Sequence, residues 1–379
     1  MTQPTATRPI LSLMACAALT ILTLGSQAAA VAGSAPPTYK IKLAGPNPSA
    51  SISESAGINP SGVIGGTAGG NANARTYVFG PKGIKAYGVP PGQSLAFTNA
   101  INKGKAIAGQ AGKDFAALHP YVGATRGAAV SWTQLLGLGK KTVTGSATSI
   151  NSRGDVAGFY YDSKGHAHGV WWPKSKGYSA SPVSLPAGTK SSYVLSLDNG
   201  GDLAGKIRQG KLWEASVWEP SGQRVSLSPL QAGEDSAATA VVRASGTPLR
   251  ILVAGYSANR HNHTSSPTVW TINGSAKPAA SSPSASQVRR PRRVSSSSGF
   301  TDCQLAGINR NDTAVGHCGS GTSGIATVLW QGTQFNLNTL IPSKSGWKLW
   351  SATGINAKGQ ITGTGSYKCK QAAFILTPK

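Results

Sequence analysis

Histidine pairs are the residues whose spacing could most readily support chemistry in this sequence. His166 and His168 are two positions apart, and so are His261 and His263. Residues two apart in a β-strand point to the same side of the sheet, so each pair could supply two metal ligands. Neither pair has a third ligand nearby at a suitable spacing, so we predict no metal site. His119 and His168 share one position of a repeat described below, which favours a role in strand packing.

The other reactive residue types do not form a recognisable catalytic set. The 12 Asp and Glu residues are scattered, and the adjacent Glu234 and Asp235 have diverging side chains. A glycosidase needs two carboxylates on either side of one bond. No Gly-x-Ser-x-Gly elbow, phosphate loop or Cys–His nucleophile pattern occurs. We therefore predict neither catalytic residues nor a cofactor.

Basic and aromatic residues are the remaining candidates for a binding site. The chain has 36 Lys and Arg against 12 Asp and Glu, a formal net charge of +24. Such an excess favours anionic partners. Tryptophan rings stack on sugars and bases. Three tryptophans lie away from the apolar positions of the repeat and are predicted to be exposed: Trp213, Trp347 and Trp350.

A Ser-, Ala- and Pro-rich segment spans residues 276–298 and predicts a flexible loop. Four arginines stand within five of its positions: Arg289, Arg290, Arg292 and Arg293. Arginine binds carboxylates and phosphates bidentately, so this loop could hold an anionic ligand. The alternative is a linker whose charge is incidental.

The N-terminus predicts export. Arg8 precedes an apolar stretch at residues 10–24, and small residues follow it. This pattern is typical of a secretory signal at residues 1–32 with cleavage after Ala30 or Ala32. The apolar stretch is too short to span a bilayer, so we expect no transmembrane segment in the mature chain. The expected location is periplasmic or extracellular, where disulfides form.

One motif recurs along the rest of the chain. It consists of an apolar residue, Asn or Asp, a turn, an apolar residue, a small residue and Gly. Its copies begin at Ile58, Ile101, Ile150, Leu197, Ile308 and Ile355, with a weaker copy near Val242. The period is 43–49 residues except where the arginine-rich segment lengthens it. That period suits one four-stranded blade of a propeller.

The motif itself predicts a bulged hairpin. Asn-x-x-Gly forms a type I turn followed by a left-handed residue, so Ile58 should lie opposite Ile64 and Ile150 opposite Val156. A third strand is indicated by an apolar residue 20 positions after each start: Val78, Tyr121, Val170, Val217, Val328 and Ile375.

The two chain ends predict how the ring closes. The last copy ends after its third strand, and an isolated strand beginning at Tyr39 precedes the first copy. Pairing these two would leave no open sheet edge. We predict an all-β, seven-bladed β-propeller over residues 38–379. An open β-solenoid or two smaller β-domains are the alternatives.

The pattern G-I-N-x-x-G-x-V-x-G, followed by a strand such as that at His168, resembles the HAF-repeat family of extracellular proteins. The hallmark His-Ala-Phe is degenerate, and its first position holds Thr76, His119, His168, Ala215, Ala326 and Ala373. The resemblance implies export and a β-repeat architecture. It implies no enzymatic activity.

Three cysteines remain after the signal is removed. The register that places Ile308 opposite Ala314 also places Gln304 opposite Cys318, and Cys303 diagonal to it. Proximity in sequence favours a Cys303–Cys318 disulfide, and Cys369 is the alternative partner of Cys318.

These features predict an exported, non-enzymatic propeller whose basic surface binds an anionic polymer. The expected partner is an anionic glycan, lipopolysaccharide or another envelope component, and nucleic acid is less favoured. One alternative is a lyase-like enzyme acting on an acidic polysaccharide, with His119, His168 or a tyrosine moving the proton. Another is a structural or adhesive surface protein.

Overall fold

The computed structural model describes residues 35–46, 53–70, 72–126, 129–244, 249–273, 291–296 and 299–379. The predicted signal peptide at residues 1–32 lies outside the described residues, as do Arg289 and Arg290. Within the described ranges, no helix is long and apolar enough to cross a membrane.

Seven small sheets follow one another along the chain, and we number them as blades 1 to 7. Strand β1 (Tyr39–Leu43) comes first and belongs to the last blade. Blade 1 contains β2 (Ser53–Ile58), β3 (Ile64–Ala68), β4 (Arg75–Gly80) and β5 (Gly83–Gly88). Blade 2 contains β6 (Leu95–Ile101), β7 (Ile107–Gly112), β8 (His119–Arg126) and β9 (Ala129–Gln134). Blade 3 contains β10 (Gly145–Ile150), β11 (Val156–Tyr161), β12 (Ala167–Trp172) and β13 (Ser181–Pro182).

The remaining blades have the same antiparallel order. Blade 4 contains β14 (Ser192–Leu197), β15 (Leu203–Gln209), β16 (Leu212–Trp218) and β17 (Arg224–Leu227). Blade 5 contains β18 (Asp235–Ala244), β19 (Arg250–Asn259), β20 (Thr264–Asn273) and β21 (Arg292–Arg293). Blade 6 contains β23 (Cys303–Ile308), β24 (Ala314–Cys318), β25 (Ile325–Trp330) and β26 (Thr333–Asn336), with β22 (Ser295–Ser296) added in parallel to β26. Blade 7 contains β27 (Trp347–Ile355), β28 (Ile361–Tyr367), β29 (Lys370–Pro378) and β1.

Short 3₁₀ helices lie in the connections between these strands: Phe115–Ala117, Leu138–Lys140, Lys174–Lys176, Gly321–Ser323 and Leu337–Thr339.

Strand β1 closes the ring. It pairs antiparallel with β29, so that Tyr39 lies opposite Pro378 and Leu43 opposite Phe374. Burial of Tyr39 in the core raises the pKa of its hydroxyl to about 12. The pairing covers the edge of β29 and gives the last blade its fourth strand. The predicted seven-bladed β-propeller, closed by an N-terminal strand, is confirmed.

The motif asparagines link neighbouring blades. The Oδ1 atom of Asn59 accepts hydrogen bonds of 2.9 Å from the N–H groups of Ser61 and Val63, which holds its own turn. Its Nδ2 atom donates to the carbonyl oxygen of Asn102 in the next blade at 3.0 Å. Asn102 and Asn309 make the same bond to the blade that follows each of them. The motif therefore uses Asn for two purposes, one within its turn and one between blades.

Tryptophans at the end of the third strand add a second link between blades. Trp172, Trp218 and Trp270 are almost completely buried. A buried indole N–H needs an acceptor. Each indole donates at 2.7–2.8 Å to a carbonyl oxygen of the preceding blade or its linker, namely that of Leu136, Ser184 or Ser228.

The inner strand of each blade, which lines the central channel, is β2, β6, β10, β14, β18, β23 or β27. Each of these inner strands carries a β-bulge two positions before the first apolar residue of the motif. In blade 6, Leu305 lies opposite Gly316 and Gly307 lies opposite Val315, which leaves one residue between them unpaired. A bulge bends and twists its strand, as the strands around a central channel require. The seven unpaired residues line a channel cavity of about 300 Å³: Ala56, Asn99, Thr148, Leu195, Thr239, Ala306 and Thr353.

The bulge also decides how the cysteines meet. Cys303 lies directly opposite Cys318, and the two form a disulfide. The predicted bond is confirmed, but the predicted diagonal arrangement is wrong because it took no account of the bulge at Ala306. Because Cys318 is bonded to Cys303, the alternative pairing with Cys369 is excluded.

Blade 5 carries the weakest copy of the motif, and the bulge locates its first apolar residue at Val241. That residue lies opposite Val253, one position earlier than the predicted start near Val242. The pairing register of β18 with β19 could not be predicted from the sequence, because the segment that connects these strands lacks the Asn-x-x-Gly pattern.

The end of the arginine-rich segment is ordered. Arg292 and Arg293 form β21 and pair with Val269 and Thr268 of β20. Within the segment predicted to be a flexible loop, the described residues therefore include two short paired strands, Arg292–Arg293 and Ser295–Ser296. Pairing with β21 satisfies the edge of β20, which a flexible loop would leave open.

Candidate functional site

The two candidate histidines lie in different blades and bond within them. His119 Nδ1 in blade 2 lies 2.8 Å from the carbonyl oxygen of Val143. His168 Nε2 in blade 3 lies 3.0 Å from Asp162 Oδ2, and its ring stacks on Tyr160 with centroids 5.2 Å apart. The hydrogen bond with His168 lowers the pKa of Asp162. Both histidines hold neighbouring segments of the structure together.

The described arginines of the insertion contribute to the blades. Arg292 Nη2 lies 3.2 Å from Asp312 Oδ2, so the guanidinium already has an anionic partner within the chain. Arg293 is part of the outer strand β21. The predicted cluster of four free arginines therefore does not hold for Arg292.

Trp350 is half-buried, as are Trp213 and Trp347, contrary to the prediction that all three are exposed. It is the residue left unpaired by a bulge between Leu349 and Ser351 in the innermost strand β27. Its indole nitrogen is buried and has no hydrogen-bond partner. Trp350 is half-buried because it lies in the inner strand. The sequence pattern of the motif did not indicate that position.

Trp347 lies at the start of β27 and lines a groove on blade 7. The groove has a volume of about 700 Å³ and runs between the outer strand β1 and the linker that precedes β27. We call it the lysine groove. Its lining includes three exposed lysines and two aromatic rings: Lys40, Lys42, Lys344, Trp347 and Tyr367.

The two rings of the groove are held in place by the strand register. Trp347 and Tyr367 are direct partners across β27 and β28, and their ring centroids are 5.0 Å apart. Phe374 supports Trp347 from the core side with centroids 6.1 Å apart. Lys368 Nζ lies 5.4 Å from the Tyr367 centroid, which adds a fourth cation beside the groove.

Among the residues that the structure describes, no carboxylate lines the groove to offset its positive charge. The ion pairs between described residues use Arg and His as their cations, and none of them includes a lysine. Cations gathered in a concave surface raise the local concentration of anions. The arrangement therefore suits a ligand that carries negative charge and presents a flat ring face.

Sequence reasoning identified Trp347 but missed the lysines around it. Lys40 and Lys42 are two apart in β1, a spacing that puts both on one side of the strand. Ring closure brings this strand to the same blade as Trp347. The predicted closure and the Lys-x-Lys spacing together were the signal that could have revealed the groove.

Trp213, the third predicted tryptophan, lies in β16 of blade 4 and contacts Tyr193, with ring centroids 5.5 Å apart. Thus, of the predicted site residues, those that the structure describes are spread over blades 2 to 5 and blade 7 and do not form one site.

No family model matches the chain, and no curated protein matches it. Among solved structures, the chain is similar to an arginine-to-alanine triple mutant of AofleA from Arthrobotrys oligospora. The TM-score is 0.43 and the sequence identity is 13%, over 79% of this chain and 88% of that chain.

Proposed function

We propose that this propeller is an exported protein of the HAF-repeat type that binds an acidic polysaccharide in the lysine groove. The observation that carries the proposal is the combination of Lys40, Lys42 and Lys344 with the paired rings of Trp347 and Tyr367, and no carboxylate, in one groove. Lysine ammonium groups attract the acidic groups of the polymer. The aromatic rings stack on the faces of its sugars.

Nucleic acid fits this groove less well. Proteins that bind DNA chiefly through charge use about 6 to 10 phosphate contacts. The lysine groove presents three lining lysines and the neighbouring Lys368 around two rings. A sugar chain with one acidic group per residue matches this smaller number of cations. His119 and His168 lie in blades 2 and 3, so the groove gives no support to the lyase-like alternative.

A titration of the full chain with polygalacturonate tests the proposal. The comparison polymer is the same polygalacturonate with its carboxylates methyl-esterified, and both are titrated across a series of salt concentrations. We expect binding to the acidic polymer that weakens as salt rises, and at least tenfold weaker binding to the ester. Equal affinity for both polymers, or an affinity that does not change with salt concentration, would overturn the proposal. DNA of equal charge serves as a competitor, and tighter binding to DNA would also overturn it.

A further inference from the structure

A second group of basic and aromatic side chains lies in blade 4. Tyr193 lies opposite Lys206, and Arg208 lies opposite Trp213, so that all four are on one side of the sheet. Lys206 Nζ is 4.7 Å from the Trp213 ring centroid and 5.4 Å from that of Tyr193. The guanidinium carbon of Arg208 is 5.4 Å from the Trp213 centroid. Two cations therefore share one indole ring.

The aromatic rings continue into blade 3. Tyr161 and Phe159 of β11 have centroids 5.5 Å apart, and the Phe159 centroid is 4.7 Å from that of Tyr193. With Trp213, four rings thus form a continuous row across the boundary between the two blades. Tyr161 is exposed at the outer end of the row. Such a row offers several apolar aromatic faces, against which the C–H faces of successive sugar rings in a chain can pack.

Lys206 is the cation that lies over both the Tyr193 and the Trp213 rings of this row. Among the described residues, no ion pair includes Lys206 or Arg208. Burial lowers the pKa of Lys206, and Asp235 partly offsets that effect. The Asp235 carboxylate is itself bonded to Arg260 at 2.8 Å. A buried charge without a full counter-charge costs free energy, which a bound acidic group would recover.

This second group and the lysine groove lie at the same end of their blades. Trp213 follows the turn from the second to the third strand of blade 4. Tyr367, the partner of Trp347, precedes the corresponding turn of blade 7. Because the blades of a propeller share one orientation about the axis, both groups open on the same face of the ring. Blades 4 and 7 are three steps apart around that ring of seven.

We propose that one acidic polysaccharide chain binds across this face at two sites, the lysine groove and a second site formed by Phe159, Tyr161, Tyr193, Lys206, Arg208 and Trp213. The inference rests on the proposed function and extends it, because it assigns a second subsite and a polymer rather than a short oligosaccharide. Two linked sites raise the apparent affinity for a long chain by about 100-fold or more over either site alone.

Calorimetry with two ligands of different length tests the inference: the short oligomer tetragalacturonate, and polygalacturonate. The variants are Lys206→Met/Arg208→Met, which keeps apolar side chains against Trp213, and Lys42→Gln/Lys344→Gln. Lys358→Gln is the control, because Lys358 is exposed at the opposite end of blade 7. Near-ultraviolet circular dichroism verifies that each variant is folded.

We expect the wild-type chain to bind two tetragalacturonate molecules and each double variant to bind one. Affinity for polygalacturonate should fall about 100-fold in either double variant and stay unchanged in Lys358→Gln. One tetragalacturonate per wild-type chain, with polymer affinity unaffected by Lys206→Met/Arg208→Met, would overturn the second site and leave the lysine groove standing. No binding of either ligand to the wild-type chain would overturn both proposals.

Discussion

The side-chain amide of Asn356 in blade 7 donates a hydrogen bond of 3.1 Å to the carbonyl oxygen of Asn59 in blade 1. This bond joins the last copy of the repeat motif to the first. It is the same bond that Asn59 makes to Asn102, so the contact between repeats continues across the point where the ring closes. The closure is therefore secured near the channel as well as at the outer strand β1.

Replacement of Asn356 by Ala should destabilise the ring. The change leaves the N–H groups of Lys358 and Gln360 without their acceptor. It also removes the inter-blade donor to the Asn59 carbonyl, which keeps only the N–H of Gly62 within its own turn. We expect the free energy of unfolding to fall by about 2 kcal/mol, measured by denaturant titration. Lys358→Ala, an exposed change in the same turn, should have an effect below about 0.5 kcal/mol. Equal stability of Asn356→Ala and the wild type would show that the inter-blade bond contributes nothing.

Asp198 occupies the motif position in blade 4 and should make stability depend on pH. Its carboxylate accepts from the N–H of Arg243 in the next blade, and burial together with the charge of Asp202 raises its pKa above the ordinary 3.8. Between the ordinary and the raised pKa, the folded chain keeps a proton that the unfolded chain has lost. Stability from this group therefore falls as pH rises through that window.

The measurement compares the free energy of unfolding of the wild type and Asp198→Asn at several pH values. The difference between them should change across the window just above pH 3.8 and stay constant at higher pH. A difference that is constant from acidic to neutral pH would contradict the raised pKa. Subtracting the two curves removes the contributions of carboxylates far from Asp198; the contribution of Asp202 differs between the two proteins, because its charge interacts with Asp198.

Loss of the Cys303–Cys318 disulfide should lower stability through the unfolded chain. The bond closes a loop with a sequence separation of 15, and a cross-link of this span lowers the entropy of the unfolded chain, which raises its free energy by about 3 kcal/mol. The double variant Cys303→Ser/Cys318→Ser should lose about this free energy of unfolding. Its hairpin register should persist, since the bulge and the strand pairing do not depend on the bond. An unchanged melting temperature would contradict the prediction.

Trp347 should contribute to binding through its ring more than through its bulk. Trp347→Phe keeps a ring opposite Tyr367, whereas Trp347→Ala removes it. Stacking of a nucleic-acid base on one aromatic side chain is worth about 1 to 3 kcal/mol, and we take that as the scale for a sugar ring. Affinity for polygalacturonate should therefore fall about tenfold or more in Trp347→Ala and only a few-fold in Trp347→Phe. Equal losses in both variants would argue against stacking.

Local patterns explain why so much of the fold could be predicted. The pairing of Ile58 with Ile64 depends on one turn, and the closing role of the Tyr39 strand follows from an incomplete last repeat. The bulge at Ala306 could not be predicted in the same way, because it is set by the packing of seven strands around one channel. The error in the geometry of the Cys303 disulfide came from that omission.

The candidate site was less predictable because distant segments form it. Lys42 and Trp347 are near opposite ends of the chain and meet only when the ring closes. Composition showed the excess of positive charge but gave no position for it. Trp350 illustrates the limit, because its burial depends on a bulge in the inner strand and not on its neighbours in sequence.

One measurement tests the central claim most directly: the dissociation constant of polygalacturonate for the variant Lys42→Gln/Lys344→Gln. It is compared with the dissociation constants of the wild type and Lys358→Gln at the same low salt concentration. Removal of two cations from the lysine groove should weaken binding about 100-fold, while Lys358→Gln binds as the wild type does. Equal weakening in both variants would mean that overall charge, and not the groove on blade 7, attracts the polymer, and the account would then be wrong.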